Sequence, residues 1–364
     1  MKETATPAPK ISHRKHMSLV KNYQAAASLA NLIYVNDTEP GIIRKKSGKG
    51  FSYQVQEKII KEKPVIERIT KLAIPPAWTG VWICVKENGH IQATGLDVKK
   101  RKQYRYHPLW NTLRNETKFH KMIEFGKALP ALRLQLEKDL ALKDLSEKKV
   151  LAAVISLMER TYIRIGNAAY EKLNGSYGLT TLHDKHVKID GAEISFSFKG
   201  KKSVQHDVKM NNKKLAAIIK QCREIPGKEL FQYYDADGNR KPIDSGMVNG
   251  YIKEITGQDY SAKDFRTWAG CLHFLLAFKN RQLQEDNAPT KLGVNEMLDD
   301  VSKKLGNTRT VCRKYYVHPG IIKLYEEDKL KDYLKELDNI EADDNKTGIT
   351  GEEKVLMKLL QKIN

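Results

Sequence analysis

The chain has 364 residues, enough for two domains and a substantial core. Lys plus Arg total 64 against 44 Asp plus Glu, a formal net charge of +20 that suits a polyanionic partner. Four scattered cysteines (Cys84, Cys222, Cys271, Cys312) exclude a disulfide scaffold, no apolar run reaches transmembrane length, and Met1 to His16 lacks a signal core, so a cytoplasmic protein with no membrane partner is expected.

Residues 1 to about 22 mix Pro, Thr, Lys and His without periodicity, which predicts a mobile tail. From Leu32 to about Asn115 the text reads as short strands broken by turns. Ile74-Pro75-Pro76-Ala77-Trp78 is extended, because proline disfavours helix at the residue before it. Val81 to Val85, the Asn88-Gly89 turn and His90 to Thr94 form a hairpin signature. Lys99-Lys100-Arg101-Lys102-Gln103-Tyr104-Arg105-Tyr106 follows, with five basic residues interleaved with two tyrosines. A solvated charged loop is the ordinary reading of such a run, but Lys and Arg here suit phosphates while Gln and Tyr can meet base edges or sugars.

Helical text begins near Glu116. Leu129, Leu132, Leu136 and Leu140 recur at helical spacing, and Val150 to Ile165 is too long for an ordinary strand. Ile194 to Phe198 alternates with period two, Gly200-Lys201-Lys202 reads as a turn, and Val204 to Val208 returns, which places Lys201 at a hairpin tip. Ser261 and Asp264 form a capping box that opens the helix carrying Arg266. Asn295 to Leu305 is helical, Gly306 stops it, Thr308 caps a further helix presenting Tyr316, and Pro319 limits that helix. An amphipathic helix near Gly351 to Leu360 closes the chain. The expected class is α+β: a tail over 1–22, a β-rich domain over 23–115, and a mainly α domain over 116–364 with a small β element near 186–209.

Five residues stand out for chemistry: Arg164 in Tyr-Ile-Arg-Ile-Gly-Asn, Lys201 in Phe-Lys-Gly-Lys, Arg266 in Asp-Phe-Arg-Thr-Trp, Asn307 in Leu-Gly-Asn-Thr and Tyr316 in Lys-Tyr-Tyr-Val. Two guanidiniums, an ammonium and a phenol are the parts needed for metal-free attack on a phosphodiester. Each also has an ordinary structural reading: a surface ion pair for the arginines, a solvated hairpin lysine, a helix terminator for Asn307, a packed ring for Tyr316. Both arginines follow apolar residues on helices that look buried, where a guanidinium wants an anion.

In this order and setting, the set resembles the active site of type IB DNA topoisomerases, in particular the short bacterial and poxvirus form, over about Pro40 to Pro319. The resemblance implies a two-domain clamp around double-stranded DNA, acting as a monomer in a nucleoid-associated, cytoplasmic setting. It implies Tyr316 as nucleophile, leaving a 3′-phosphotyrosine, with Tyr315 as the competitor one residue away. Arg164 and Arg266 would bind the non-bridging oxygens, and Lys201 would protonate the departing 5′ oxygen. Asn307 occupies a position where many members place His; it can donate a hydrogen bond but cannot become cationic. In poxvirus-like relatives a Gln-Tyr-x-Tyr segment reads the major groove, which transfers to Gln103, Tyr104 and Tyr106, with Lys99, Lys100, Arg101 and Lys102 tracking phosphates.

The resemblance implies no ATP or essential metal, so no cofactor is expected. Walker loops fail, since residue 195 is Ser and Gly50 follows Gly48-Lys49. Neither His183-Asp184-Lys185-His186 nor Asp235 to Asn239 completes a metal site; the latter has Arg240 and Gly246 at the sixth and twelfth positions of a calcium loop. Two rivals remain: a tyrosine recombinase, although Lys263 stands where those enzymes carry His, and an architectural DNA-binding protein with an inactive site.

Overall fold

Strand alternation and short helices build the N-terminal part of the computed structural model, which describes residues 12–20, 22–284, 289–333, 336–337 and 347–363. The chain divides into two units, 1–121 and 122–364, each with its own core. The first contains α1 (His13–Leu19), α2 (Tyr23–Leu29), β1 (Ile42–Ser47), β2 (Gly50–Val55), β3 (Lys58–Ile59), α3 (Lys63–Lys71), β4 (Thr79–Ile83), β5 (Ile91–Leu96), β6 (Lys102–Tyr106) and the start of α4 (Pro108–Leu140). Its six strands form one antiparallel sheet in the order β3-β2-β1-β4-β5-β6. Because successive strand residues face opposite ways, Val81, Ile83 and Ala93 pack with Ile69 of α3 on one side. Trp82 and Cys84 pack with Val35 on the other.

Three expectations change here. The tail expected over 1–22 includes a helix: Ser12 caps α1, His16 stacks on His120 at 3.8 Å, and Leu19 joins Ala26, Ala27, Trp110 and Leu113 in a buried cluster. Residues 1–11 and 21 lie outside the described residues. α3 interrupts the expected run of strands, opened by Pro64 and anchored by Ile69. α4 starts at Pro108, not near Glu116; proline is tolerated at a helix start, and Nδ1 of His107 accepts from the N–H of Leu109 at 3.2 Å.

The second unit holds α5 (Glu147–Thr161), α6 (Ala168–Asn174), β7 (Val187–Asp190), β8 (Glu193–Lys199), β9 (Gln205–Asn211), α7 (Lys213–Glu224), β10 (Gln232–Tyr234), β11 (Arg240–Pro242), α8 (Ser245–Thr256), α9 (Ala262–Gln284), α10 (Lys291–Leu305), α11 (Arg309–Tyr315), α12 (Pro319–Glu326) and α13 (Gly351–Ile363). α5 is buried almost all round from Lys149 to Met158, as expected of a central helix. Leu129, Leu132, Leu136 and Leu140 of α4 are buried as their spacing predicts. Strands β7, β8 and β9 form an antiparallel sheet in that order. Asp235 to Asn239 forms the β10–β11 turn, with Oδ1 of Asp235 accepting from the N–H groups of Asp237 and Asn239. α13 is anchored by charge. Glu353 accepts from Arg133 at 2.8 Å and from the indole of Trp268, on α9, at 2.9 Å. No helix among the described residues is long and apolar enough to cross a membrane.

Candidate active site

A left-handed residue decides where Arg164 goes. α5 ends at Thr161, and Tyr162 (φ 57) turns the chain away, so Arg164 lies in a loop and not on the buried helix that its sequence suggests. The loop is fixed by backbone hydrogen bonds, Leu179 N to Arg164 O at 2.9 Å and Thr180 N to Ile165 O at 2.7 Å. Gly178 permits this approach, since a Cβ there would lie 2.5 Å from the Arg164 carbonyl oxygen. Nη2 of Arg164 donates to Gly306 O at 3.2 Å and to Oδ1 of Asn307.

Arg266 meets the same two stretches of chain from α9. Its guanidinium donates to Tyr162 O and, at 2.6 Å, to Leu305 O, while its Nε is buried without a hydrogen-bond partner. The start of α9 follows from the predicted Ser261–Asp264 pair, with one refinement. The Asp264 carboxylate accepts from both the N–H and the hydroxyl of Ser261. Burial first, then the neighbouring Arg266, draw Arg164 down to about 10, which leaves it cationic at neutral pH. Among the described residues no carboxylate pairs with either arginine, so a half-buried and a buried cation stand close together without an anionic partner.

Tyr316 ends α11, which Thr308 caps by accepting from Val311 N at 3.4 Å. The phenol ring lies under Arg266, with the guanidinium carbon 5.2 Å from the ring centroid. Tyr315, its neighbour, is 39% exposed and lies under Lys314 instead. Gly270 of α9 lets the nucleophile candidate approach: a Cβ there would lie 2.6 Å from Tyr316 O and 2.7 Å from Tyr316 Cβ. Cys271 adds a thiol hydrogen bond to the same carbonyl at 3.4 Å. Gly306 terminates α10 in a left-handed conformation (φ 55), as the sequence predicts, and delivers Asn307 to Arg164.

Arg164, Arg266, Asn307 and Tyr316 are therefore brought together, whereas Lys201 is not bonded to them. It stands in a 3-10 turn at the tip of the β8–β9 hairpin, as expected, with its ammonium 5.9 Å from the ring centroid of Tyr170. No hydrogen bond or ion pair joins it to the other four among the described residues.

In the N-terminal unit, the basic aromatic run forms edge strand β6 and the turn before it. Lys102, Tyr104 and Tyr106 occupy its exposed face, with the two phenol rings nearly parallel at 5.7 Å. Gln103 points to the opposite face and donates to Oδ2 of Asp97 at 3.0 Å, so the expected Gln-Tyr-x-Tyr set is split across the strand. Arg101 pairs with Asp97 at 2.6 Å, and its hydrogen bond holds that carboxyl near 2; Lys102 pairs with Asp37 at 2.6 Å. Lys99 donates its backbone N–H to Asp97, and Lys100 is exposed at the turn with φ 55.

Comparison with known proteins bears on the whole arrangement. Residues 100–343 match the family described as eukaryotic DNA topoisomerase I, catalytic core, and residues 50–97 match the bacterial DNA topoisomerase IB, N-terminal domain. The chain is 33% identical over 297 residues to DNA topoisomerase 1B of Acanthamoeba polyphaga mimivirus, covering 79% of this chain and 88% of the viral one. The chain belongs to the type IB DNA topoisomerases. Vaccinia virus (strain Copenhagen) DNA topoisomerase 1B is 24% identical over 245 residues, 66% of this chain and 74% of its own. DNA topoisomerase 1 of Rabbit fibroma virus (strain Kasza) is 22% identical over 276 residues, 73% and 83% of the two chains.

Within this topoisomerase, sequence reasoning passed over three residues that shape the cluster. Tyr162 turns Arg164 out of α5 and accepts from Arg266. Gly270 admits Tyr316. His206, on β9, lies against Gly306. Only the last two left a signal, a glycine inside an apolar helix and a histidine in an alternating strand. Of His183 and His186, set aside as a metal pair, His183 is held by Glu171 while His186 stacks on it and accepts from its backbone N–H, and no metal-binding cluster occurs among the described residues.

Proposed function

We propose that this topoisomerase relaxes supercoiled duplex DNA by cutting and resealing one strand, using Tyr316 as nucleophile. The observation that carries the reading is the convergence of Arg164 and Arg266 beside the Tyr316 ring. Planar guanidiniums remain charged and can each offer paired donors to phosphate oxygens, which suits them to the charge that develops on a pentacoordinate phosphorus. Tyr316 gives up its phenol proton to solvent, and its Oη forms a bond to phosphorus as the bond to the 5′ oxygen breaks. Lys201 gives that oxygen its proton, leaving a 3′-phosphotyrosine and a free 5′-hydroxyl. The cut strand swivels about the intact one, and the 5′-hydroxyl then attacks phosphorus, returns its proton to Lys201 and releases Tyr316 as a phenolate, which takes up a proton from solvent. The covalent link conserves the phosphodiester energy, so the cycle needs no nucleotide.

One amide N–H of Asn307 is proposed to face a non-bridging oxygen, its carbonyl being held by Arg164. Lys201 must reach the phosphate from the hairpin tip, and we assign that approach to movement of the hairpin when DNA binds. The N-terminal unit is proposed to supply the second half of a clamp on the duplex, with Tyr104 and Tyr106 toward the groove and Lys99, Lys100, Arg101 and Lys102 along the phosphates. We also propose that one copy of the chain suffices. Plasmid relaxation in EDTA without ATP tests the reading: both signs of supercoil should be removed, and strict dependence on magnesium or ATP refutes it.

A further inference from the structure

One imidazole lies between two glycines that each precede a proposed site residue. His206 stands opposite Phe198 across the β8–β9 hairpin, the two rings parallel within 6° and 5.1 Å apart. A Cβ on Gly200, the residue before Lys201, would lie 2.6 Å from Cδ2 of His206. A Cβ on Gly306, the residue before Asn307, would overlap Cε1 of the same ring. Gly306 is left-handed and favours glycine for that reason too, but Gly200 has φ −93, which any residue adopts. Glycine at 200 therefore answers to the room that His206 needs.

Neither nitrogen of His206 hydrogen-bonds another group among the described residues. Burial, then the positive charges of Arg164 and Arg266, hold its pKa below the ordinary histidine value, with Asp207 opposing them. The ring is thus a neutral, flat wedge with one edge on the Lys201 hairpin and another on the turn that holds Asn307 and Arg164. Beside this ring, the hairpin end is tied to the rest of the unit by the N–H of Tyr177, which donates to Lys199 O at 2.8 Å, and by Tyr170 under the Lys201 ammonium.

We propose that His206 is a positioning residue that registers the Lys201 hairpin against the Gly306–Asn307 turn, so that the ammonium meets the departing 5′ oxygen. This rests on the reading of Lys201 as proton donor, and the experiment separates the two. A duplex with sulfur in place of the bridging 5′ oxygen, at a cleavage site mapped by covalent trapping, releases a thiolate. Its parent thiol has a pKa of about 8.5, so it needs no acid, unlike an alkoxide.

In single-turnover cleavage, H206A should be slower on the ordinary duplex by about 10-fold or more, a share of the 10²–10⁴ that a placed acid contributes. DNA affinity should be unchanged, and the sulfur duplex should restore nearly the wild-type rate. H206F, which keeps a flat ring stacked on Phe198, should cleave both substrates at nearly the wild-type rate. A wild-type rate for H206A on the ordinary duplex, or an equal deficit on both duplexes, overturns the proposal. If K201A is rescued by sulfur and H206A is not, only the positioning role falls. If K201A is not rescued, the role of Lys201 falls and takes this inference with it. Should H206A fail to fold, G200A, whose added methyl presses on the ring, is held to the same outcomes.

Discussion

Oδ1 of Asn307 accepts a hydrogen bond from Nη2 of Arg164 and its Nδ2 donates to Leu305 O at 3.4 Å, so this amide keeps one N–H for a substrate. Two functions are therefore combined in one side chain, and substitution can divide them. Asn307→Ala should lower the cleavage rate by about 10²–10³-fold, the usual loss for a donor to a developing oxyanion. Asn307→Asp keeps the contact with Arg164 but sets a carboxylate toward the phosphate, and should be at least as slow as the alanine variant. Near-wild-type single-turnover cleavage by Asn307→Asp would show that the residue only orients Arg164.

Tyr316→Phe removes one oxygen and keeps the ring under Arg266. It should abolish the covalent DNA adduct seen on denaturing gels while leaving non-covalent binding intact. Tyr315→Phe alters an exposed ring under Lys314 and should retain cleavage. Adduct formation by the Tyr316→Phe variant would move the nucleophile elsewhere.

Gly270→Ala tests whether the close approach of α9 to Tyr316, the proposed nucleophile, matters. Alanine is favoured over glycine in a helix by about 1 kcal/mol, yet its methyl would meet Tyr316 O and Cβ inside normal contact. The protein should bind DNA normally and cleave it more slowly, with little change in melting temperature. Unchanged cleavage kinetics would mean that Tyr316 adjusts without loss.

Much of this site could be read before any coordinates, because local chemistry fixes its punctuation. Gly306 as a helix stop, Thr308 as a cap and the alternation around Lys201 each depend on a few neighbouring residues. What could not be read depends on distant partners. α1 is short and is held by contacts of His16 with Thr117 and His120, 101 and more residues away. Tyr162 gives no sign in the sequence of its left-handed turn, so Arg164 looks like a continuation of α5. Gln103 lies one and three positions from Tyr104 and Tyr106 in sequence but faces the other way, a consequence of its being on a strand and not in the loop that the surrounding basic run suggests.

Salt dependence should separate the basic residues near β6. Each phosphate neutralised contributes a slope of about −0.9 in log K against log salt. Lys100→Ala should flatten the slope by about that amount, since its ammonium is exposed. Arg101→Ala should change it less, because Asp97 already balances the guanidinium. Equal effects in a binding titration would mean that DNA breaks the Arg101–Asp97 pair.

Stability should fall in acid through Glu353. Burial tends to raise its pKa, but the hydrogen bonds and charge of Arg133, with help from Thr350 and Trp268, prevail and hold it below the ordinary carboxyl value. A carboxyl depressed in the folded state contributes fully above its unfolded value, about 4.3, and loses that contribution as pH falls through the folded value. Removing one member of a buried ion pair costs about 3–5 kcal/mol, and Glu353→Gln should lie toward the low end because Glu159 still pairs with Arg133 at 2.7 Å. Urea unfolding should therefore show the wild type well ahead of Glu353→Gln at pH 7, with the gap narrowing below about pH 4 as the wild-type carboxylate takes up its proton. A gap that stays constant down to pH 3 would mean that α13 is held by the shape of the Glu353 side chain, and that its charge contributes nothing.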